Sequence, residues 1–506
     1  MCGAGQAASN TPRTLSGALT YERVPATPSG LDYASISRLP IRGAVVELLA
    51  AGATLVTTTS DDAGHFNASW TGPAIVTVRV KAETVQPGIR VENSSANDAL
   101  YTLESCVDSA LTPFTEINGS TGWGGTRYTG PRTAAPFAIL DTIYSASRAF
   151  LDERQVAFTP VIASWSVRNP PEFTRYDPAT RRILLSGIAD EDTDEFDVGL
   201  ITHEWGHHFI HTLSRSDDVH SMNIGGHGFG TIHDPRLTWN EGWATAVAQL
   251  VLPGTDFIDT GGRGQRQAIH FDAENDNNGL FDECPGWVSE NAVVHVLTDL
   301  FDPDSAAEPS DGVHLSPGEV YDLMSGPHRQ IEAFTTIFSF LEVVKAAHPA
   351  IAQEVDAIAT RYGVNGTDAW ATGETYDAPG TCVGGGTPAS PGLEGILPVY
   401  HWLEVDGPPA QLIVTFDVTR FIVNPSRFAA FVGTGSPVTL IADGAGQNVL
   451  LEVFENGALK QTGVRQTDGT YLLPGFATSL GKRYTVAVSG PAAGAYIWPV
   501  TLRLTN

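Results

Sequence analysis

Residues 197–213, which read DVGLITHEWGHHFIHTL, form the most informative stretch of this chain. Apolar residues recur in it at helical spacing and on more than one side, at Val198, Leu200, Ile201, Trp205, Phe209 and Ile210. A helix that is apolar on nearly all sides is typically buried. The stretch therefore predicts a buried helix, with Asp194 capping its first turn and Asp197 adding negative charge there.

The same helix carries the residue pattern HExxH, as His203-Glu204-Trp205-Gly206-His207. Residues four apart lie on one face of a helix, so His203 and His207 can present two ring nitrogens to one metal ion. Glu204 lies one step around the turn, where its carboxylate can reach a metal-bound water. Zn²⁺ suits two imidazoles and one carboxylate with an open fourth position. We therefore expect a zinc site here rather than a chance occurrence of the pattern.

The third zinc ligand is predicted at Glu241, in the segment TWNEGWATAVA of residues 238–248, which is predicted to begin a helix that runs to Leu252 and ends before Pro253 and Gly254. The longer pattern HExxHxxGxxH is excluded, because Ile210 and Leu213 occupy its glycine and final histidine positions. Thr238 and Glu241 also match a capping box, in which Glu241 would only satisfy backbone N–H groups. We favour the ligand role because no later glutamate lies in so metal-like a sequence context.

Together, HEWGHHF and WNEGWA resemble the paired motifs of gluzincin-type zinc metallopeptidases, including secreted bacterial ones. The resemblance implies a zincin-like catalytic domain, in which His203, His207 and Glu241 bind zinc and Glu204 is the catalytic general base. It also implies hydrolysis of peptide bonds in extracellular proteins by a zinc-activated water.

Two features depart from the commoner gluzincin pattern. The gap from His207 to Glu241 is 34 residues, which is long for the class. Thr245 stands where many relatives carry an aspartate that orients a ligand histidine, and Glu290 is predicted to supply this carboxylate instead.

Several other residues are candidates for roles around the zinc. The oxyanion of the reaction is expected to be stabilised by His233, His295 or Tyr321, and the sequence does not choose among them. Further histidines lie close by in the sequence, and we expect most of them to be solvated or to support the ligands rather than to bind metal: His208, His211, His220, His227 and His233. Arg182–Leu185 is predicted to be the edge strand that pairs with extended substrate.

A calcium site is a further prediction, for the loop around Asp276. Glu274, Asp276 and Asn278 place oxygen side chains on alternate residues, and Gly279 follows, as in an EF-hand-like loop. The closing glutamate of such a loop is missing, because Pro285 occupies its position. A solvated acidic turn is the alternative interpretation, and we favour it.

The length of 506 residues is too great for one core, so we predict a multidomain α+β protein with a zincin-like domain between two all-β sandwich modules. Near the N-terminus, IRGAVVEL (41–48) is followed by TLVTTTSDDAGHF (54–66), and this order resembles transthyretin-like, carboxypeptidase-regulatory-like modules. Towards the C-terminus, the β-rich runs QLIVTF (411–416), VTLI (438–441), VLLEVF (449–454) and YTVAV (484–488) resemble pre-peptidase C-terminal β-sandwiches. The predicted divisions are a flexible tether (1–14), the first β-sandwich (15–105), a linker (106–135), the catalytic domain (136–378), a Gly/Pro linker (379–394) and the C-terminal β-sandwich (395–506).

The amino-acid composition limits which binding partners and which cellular location we expect for this protein. The net charge of −28 argues against nucleic acid and anionic membranes as partners. The sequence holds no run of about 18 apolar residues, so no transmembrane helix is expected. Cys2, followed by small residues, resembles the start of a mature bacterial lipoprotein, although it could equally be an ordinary cysteine. We expect an extracellular or cell-surface bacterial protein, with a periplasmic or outer-membrane lipoprotein as one form.

Two other functions remain open from the sequence. One is a glycopeptidase that acts on mucin-type glycoproteins with the same zinc site. The other is a non-catalytic adhesion or scaffold protein with a degenerate protease domain. The presence of all four expected residues, from His203 to Glu241, argues against the scaffold, because a degenerate site usually loses one. The sequence does not show the cleavage specificity or the oligomeric state.

Overall fold

The computed structural model describes residues 10–217, 227, 231–252, 254, 256–274, 286–302, 312–376, 395–417, 422–423, 426–491 and 494–506. The fold is mixed α and β, which confirms the predicted α+β class at that level. The helices are α1 (Ala135–Leu151), α2 (Val198–Thr212), α3 (Pro235–Val251), α4 (Glu290–Phe301), α5 (Pro317–Ser325), α6 (Ile337–Ala347) and α7 (Ala352–Arg361). None of these helices is both long and apolar enough to cross a membrane.

Most strands lie in two long runs, one before α1 and one after α7, and the others lie between α1 and α4. Before α1 lie β1 (Pro12–Arg23), β2 (Ala26–Thr27), β3 (Gly30–Leu31), β4 (Ser37–Pro40), β5 (Ala44–Ala50), β6 (Ala53–Thr59), β7 (His65–Thr71), β8 (Ile75–Thr84), β9 (Ile89–Asn93), β10 (Ala99–Leu100), β11 (Thr102–Asp108) and β12 (Phe114–Gly119). Between α1 and α4 lie β13 (Val161–Trp165), β14 (Arg175–Asp177), β15 (Arg182–Leu185), β16 (Gly187–Ile188), β17 (Asp192–Thr193), β18 (Ile232–His233), β19 (Asp256–Gly261) and β20 (Gln267–Asp272). After α7 lie β21 (Tyr400–Leu403), β22 (Ala410–Asp417), β23 (Ile422–Val423), β24 (Ser426–Val432), β25 (Val438–Asp443), β26 (Leu450–Glu455), β27 (Ala458–Thr462), β28 (Val464–Arg465), β29 (Tyr471–Phe476), β30 (Arg483–Ser489) and β31 (Ala495–Thr505).

The chain forms two compact units. The first unit comprises residues 1–212 and 251–272, and the second comprises residues 213–250 and 273–506. The six finer divisions predicted from the sequence stay a prediction.

The largest sheet of the first unit crosses one of the predicted boundaries. Its strands run in the order β14-β15-β13-β9-β8-β5-β6, with β10 beside β9 and β11 beside β8. Strand β13 pairs in parallel with β9, from Val161 opposite Ile89 to Trp165 opposite Asn93. One continuous sheet therefore joins strands on both sides of the predicted linker 106–135. Alternating apolar residues identify strands in a sequence, but they do not reveal a partner about 70 residues away.

The prediction of an edge strand at Arg182–Leu185 is wrong. The segment does form a strand, β15, but it lies between β13, its parallel partner, and β14, its antiparallel partner. Strand β14 is the last strand at this end of the sheet among the described residues. The three-residue run Arg175–Asp177 is too short to be recognised from its sequence pattern.

The second unit contains a β-sandwich that follows its helices. One sheet has the order β18-β23-β22-β31-β25-β29-β28, and the other has the order β21-β24-β30-β26-β27. Alternate residues of the two sheets form one buried core, including Leu412, Phe431, Leu451, Val486 and Leu502. This alternation is what the sequence shows in these strands, and it explains why the β-sandwich character could be predicted.

One cysteine of the first unit takes part in a disulfide bond. Cys106 on β11 is disulfide-bonded. Its partner lies outside the described residues, because Cys2, Cys284 and Cys382 all fall there.

A buried histidine gives the second unit a pH-dependent stability. His328 packs against the rings of Trp239 and Phe340, and its Nε2 lies 2.9 Å from Ser339 Oγ. Burial, followed by the nearby charge of Arg215, lowers the pKa of His328 from 6.5 to about 3. Between these two pH values the unfolded chain binds a proton that the folded chain does not, so stability falls as the pH falls.

We expect His328 alone to lower the free energy of unfolding by about 2 kcal/mol between pH 7 and pH 5. Urea unfolding at several pH values should show this loss in the wild type and a flatter dependence in His328→Gln. Replacement of His65, whose side chain is 55% exposed, is the control for loss of a histidine as such. An identical pH dependence in the wild type and His328→Gln would contradict the prediction.

Candidate metal centre

The two histidines of the HExxH pattern face each other on helix α2. His203 and His207 are both buried, and their Nε2 atoms lie 3.1 Å apart. Two nitrogens bound to one tetrahedral zinc, each at about 2.0–2.1 Å, would be about 3.4 Å apart. The spacing of the two nitrogens is therefore close to the one that zinc requires, and the residues fit this metal.

Glu204 lies beside this pair and is only 6% exposed. Its carboxylate makes no hydrogen bond or ion pair with any of the residues that the structure describes. A largely buried carboxylate that no described residue engages is available to interact with a ligand or a water molecule. The position of Glu204 directly after His203 in the helix keeps it next to the histidine pair.

Aromatic packing on another side of α2 holds the helix in place. Trp205 and Phe209 contact the rings of Phe150, on α1, and Phe158. The ring centroids of these pairs lie between 5.1 and 6.4 Å apart, within the usual range for stacked or edge-on aromatic contacts. The apolar residues that predicted a buried helix are thus those that fix the direction of the two histidines.

His208 is buried, and its ring is hydrogen-bonded to the backbone rather than exposed to solvent. Its Nε2 donates to the backbone oxygen of Thr159 at 3.0 Å. Burial lowers the pKa of His208 to about 4, so the ring is neutral at physiological pH. His211 packs against the ring of Tyr176, and His220 lies outside the described residues.

The start of α2 differs from the sequence expectation. The helix begins at Val198, and the backbone oxygen of Asp197 accepts from Ile201 N at 2.9 Å. Asp194 does not cap the helix, because its Oδ2 instead accepts from the Thr174 hydroxyl and from Ser186 N. The predicted cap at Asp194 is therefore wrong, because a side-chain partner distant in sequence engages that carboxylate.

Glu241 lies in the second unit, on α3, and is 6% exposed. The capping-box alternative for this residue is wrong, because α3 begins at Pro235, before Thr238. Asp234 caps the helix by accepting from Arg236 N at 3.0 Å. The Thr238 hydroxyl lies 2.9 Å from the backbone oxygen of Trp287, to which it donates. The start of the helix therefore does not explain a buried glutamate at position 241.

His227 connects Glu241 with Glu290, the residue predicted to support a ligand. The Nε2 atom of His227 lies 3.5 Å from Glu241 Oε2, and its Nδ1 atom lies 3.2 Å from Glu290 Oε2. Helices α3 and α4 approach closely here, since a Cβ atom on Gly242 would lie 2.5 Å from Val293 Cγ1. The imidazole of His227 thus lies between the carboxylates of Glu241 and Glu290. The sequence placed His227 in a glycine-rich loop and gave no signal for this contact.

The three oxyanion candidates all belong to the second unit. His233 is fully buried on β18. His295 Nδ1 lies 2.7 Å from the backbone oxygen of Ala273, and the ring stacks on Tyr362. Tyr321 is partly buried on α5. The contacts of His295 indicate a structural role, and the choice of an oxyanion partner stays a prediction. The calcium loop predicted around Asp276 lies outside the described residues.

Comparison with known protein families finds no family model that matches this chain, and comparison with characterised proteins finds no significant match. Among solved structures, the chain is similar to the pre-peptidase C-terminal domain of collagenase from Bacillus anthracis, at 8% identity and a TM-score of 0.16, covering 21% of this chain and 95% of that one. It is also similar to PliG, a periplasmic inhibitor of g-type lysozyme, from Aeromonas hydrophila, at 16% identity and a TM-score of 0.15, covering 21% of this chain and 95% of that one. Scores this low do not assign a fold or a function to the chain.

Proposed function

We propose that this protein is a zinc-dependent metallopeptidase of the gluzincin type, with His203, His207 and Glu241 as zinc ligands and Glu204 as the general base. One observation carries the proposal: two histidine Nε2 atoms lie 3.1 Å apart beside Glu204 on the same buried helix. The donor set of two imidazoles and one carboxylate is the one that catalytic zinc uses in this class. Glu241 is supported by its burial and by the failure of the capping explanation.

When bound, zinc would lower the pKa of a water molecule toward about 7 and polarise the scissile carbonyl group. Glu204 then accepts the proton of the attacking water and transfers it to the amine that leaves. The carboxylate is suited to this task because no described residue donates a hydrogen bond to it. The rings of Trp205 and Phe209 keep the helix, and so the proton acceptor, in a fixed position.

His227 and Glu290 would support Glu241. An outer partner that holds a ligand carboxylate commonly changes metal affinity by about 10- to 100-fold. In this chain the imidazole of His227 lies between the carboxylates of Glu241 and Glu290. Gluzincin metallopeptidases commonly use an aspartate next to a ligand histidine instead.

We also propose that the enzyme works outside the cytoplasm. The disulfide at Cys106 supports an oxidising compartment, where such bonds persist. The lipid anchor at Cys2 lies outside the described residues and stays a prediction.

The proposal predicts that casein cleavage depends on zinc. A chelator such as 1,10-phenanthroline should abolish cleavage by the full-length protein, and added Zn²⁺ should restore it, because the proposed mechanism depends on a water that zinc activates. Full cleavage after removal of all zinc would contradict the proposal. A glycosylated peptide and its deglycosylated form, tested in parallel, separate the two enzyme alternatives, since a glycopeptidase would cleave only the first.

A further inference from the structure

Three aspartates of the first unit meet at a point separate from the histidine pair. Asp192 lies on β17, Asp194 directly follows that strand, and Asp259 lies on β19, the antiparallel neighbour of β17. Residues two apart on a strand share a face, and Asp259 stands two residues before Gly261, which is opposite Asp192. One carboxylate oxygen of each aspartate lies within 4.8 Å of the others.

Asp194 supplies a second, independent observation. Its side chain is fully buried, and its Oδ2 atom accepts from the Thr174 hydroxyl and from Ser186 N at 3.2 Å. The other oxygen, Oδ1, is buried and has no hydrogen-bond partner among the described residues. An unpartnered carboxylate oxygen at this depth is costly unless a proton or a cation reaches it.

Residues 190–197 form an acidic run, DEDTDEFD, and two of its other carboxylates have partners. Glu195 accepts from Arg132 Nε at 3.0 Å, so that charge has a cation. Asp197 accepts from Thr260 N at 2.9 Å. By contrast, none of the three clustered aspartates forms an ion pair with a basic residue in the described part of the chain. Among the residues that the structure describes, no basic side chain therefore balances the charges of these three aspartates.

Burial and the repulsion between neighbouring negative charges raise the pKa values of Asp194 and Asp259. Burial and then the charge of Asp192 raise the pKa of Asp194 above its ordinary value. Burial, followed by the charges of Asp192 and Glu204, raises the pKa of Asp259 to about 7. These carboxyl groups therefore retain protons more readily than isolated aspartates do, and a cation would have to displace those protons to bind.

We propose that Asp192, Asp194 and Asp259 bind a hard divalent cation, and that this cation is Ca²⁺. The ligand atoms are all carboxylate oxygens, which favours calcium, magnesium or manganese over zinc. Calcium takes six to eight oxygen ligands in flexible geometry, whereas magnesium usually keeps several waters and uses one or two carboxylates. Three carboxylates gathered at one point fit calcium better. The site is distinct from the loop around Asp276 that the sequence suggested.

The test is calcium titration of the full-length, zinc-loaded protein by isothermal titration calorimetry, with melting curves in parallel. We expect one Ca²⁺ per chain and a rise in Tm of about 5 °C at about 100 times Kd. Asp194→Asn and Asp259→Asn should each weaken calcium binding by about tenfold or more, since affinity follows the number of charged ligands. Glu191→Gln removes an exposed charge from the same acidic run and should bind calcium as the wild type does.

Two outcomes would overturn the proposal. In the first, titration of the wild type with calcium produces no heat and no change in Tm, and Asp194→Asn has a higher Tm than the wild type at every calcium concentration. Protons, rather than a cation, would then neutralise the three carboxylates. In the second, the wild-type protein binds Mg²⁺ or Mn²⁺ more tightly than Ca²⁺. Calcium binding should persist in Glu241→Ala, so failure of the calcium site and failure of the zinc site give different results.

Discussion

Glu204→Gln is expected to lower kcat/KM for peptide hydrolysis by about 10²- to 10⁴-fold, the usual contribution of a general base. Glutamine has nearly the shape of glutamate, but it cannot accept the proton of the attacking water. The side chain makes no hydrogen bond or ion pair with the described residues, so its replacement removes no stabilising contact. We therefore expect the loss of activity to come without a fall in Tm. Cleavage of a quenched fluorescent peptide, together with a melting curve, measures both quantities.

The control for this variant is Glu191→Gln, which makes the same chemical change at an exposed position of the same unit. It should keep wild-type activity. If Glu204→Gln also keeps activity within about tenfold of the wild type, less than a general base contributes, another group takes the proton and Glu204 is not the base.

Glu241→Ala is expected to remove zinc and, with it, all measurable cleavage. Loss of a direct ligand should weaken zinc binding by more than the roughly 10- to 100-fold that follows from loss of an outer partner. The variant is not expected to disturb the start of α3, because Asp234 caps that helix. Competition with a chromogenic zinc chelator gives the affinity, and circular dichroism shows whether the helices are intact.

Glu290→Gln should weaken zinc binding less than Glu241→Ala does, because Glu290 would support a zinc ligand rather than bind the metal. Glu290 lies 3.2 Å from His227 Nδ1, and His227 in turn lies 3.5 Å from Glu241. Its replacement should weaken zinc binding by about 10- to 100-fold while leaving a measurable site. Equal zinc affinity in Glu241→Ala and the wild type would show that the third ligand is another residue.

Local patterns predicted the elements that carry the proposed zinc chemistry. The spacing of apolar residues around HExxH predicted α2, and the structure has a helix at Val198–Thr212. The segment around Glu241 was likewise predicted as helical, and α3 covers it. Both predictions depend on residues within a few turns of one another, which is the range in which helical periodicity is informative.

Contacts between distant parts of the chain could not be predicted in this way. The pairing of β13 with β9 joins residues about 70 positions apart, and the Asp259 carboxylate reaches Asp192 from another strand. His227 gave no signal, because a histidine among glycines is usually solvated. Asp194 was predicted to be a helix cap, and its contact with Thr174, 20 residues away, explains the error.

The most direct test of the account is the zinc content per chain, measured by elemental analysis on wild type, Glu204→Gln and Glu241→Ala. We expect close to one zinc per chain in the wild type and in Glu204→Gln, and almost none in Glu241→Ala, since only the last variant loses a ligand. Zinc retained in Glu241→Ala would move the third ligand to another residue. The absence of zinc from all three proteins would contradict the metallopeptidase proposal itself.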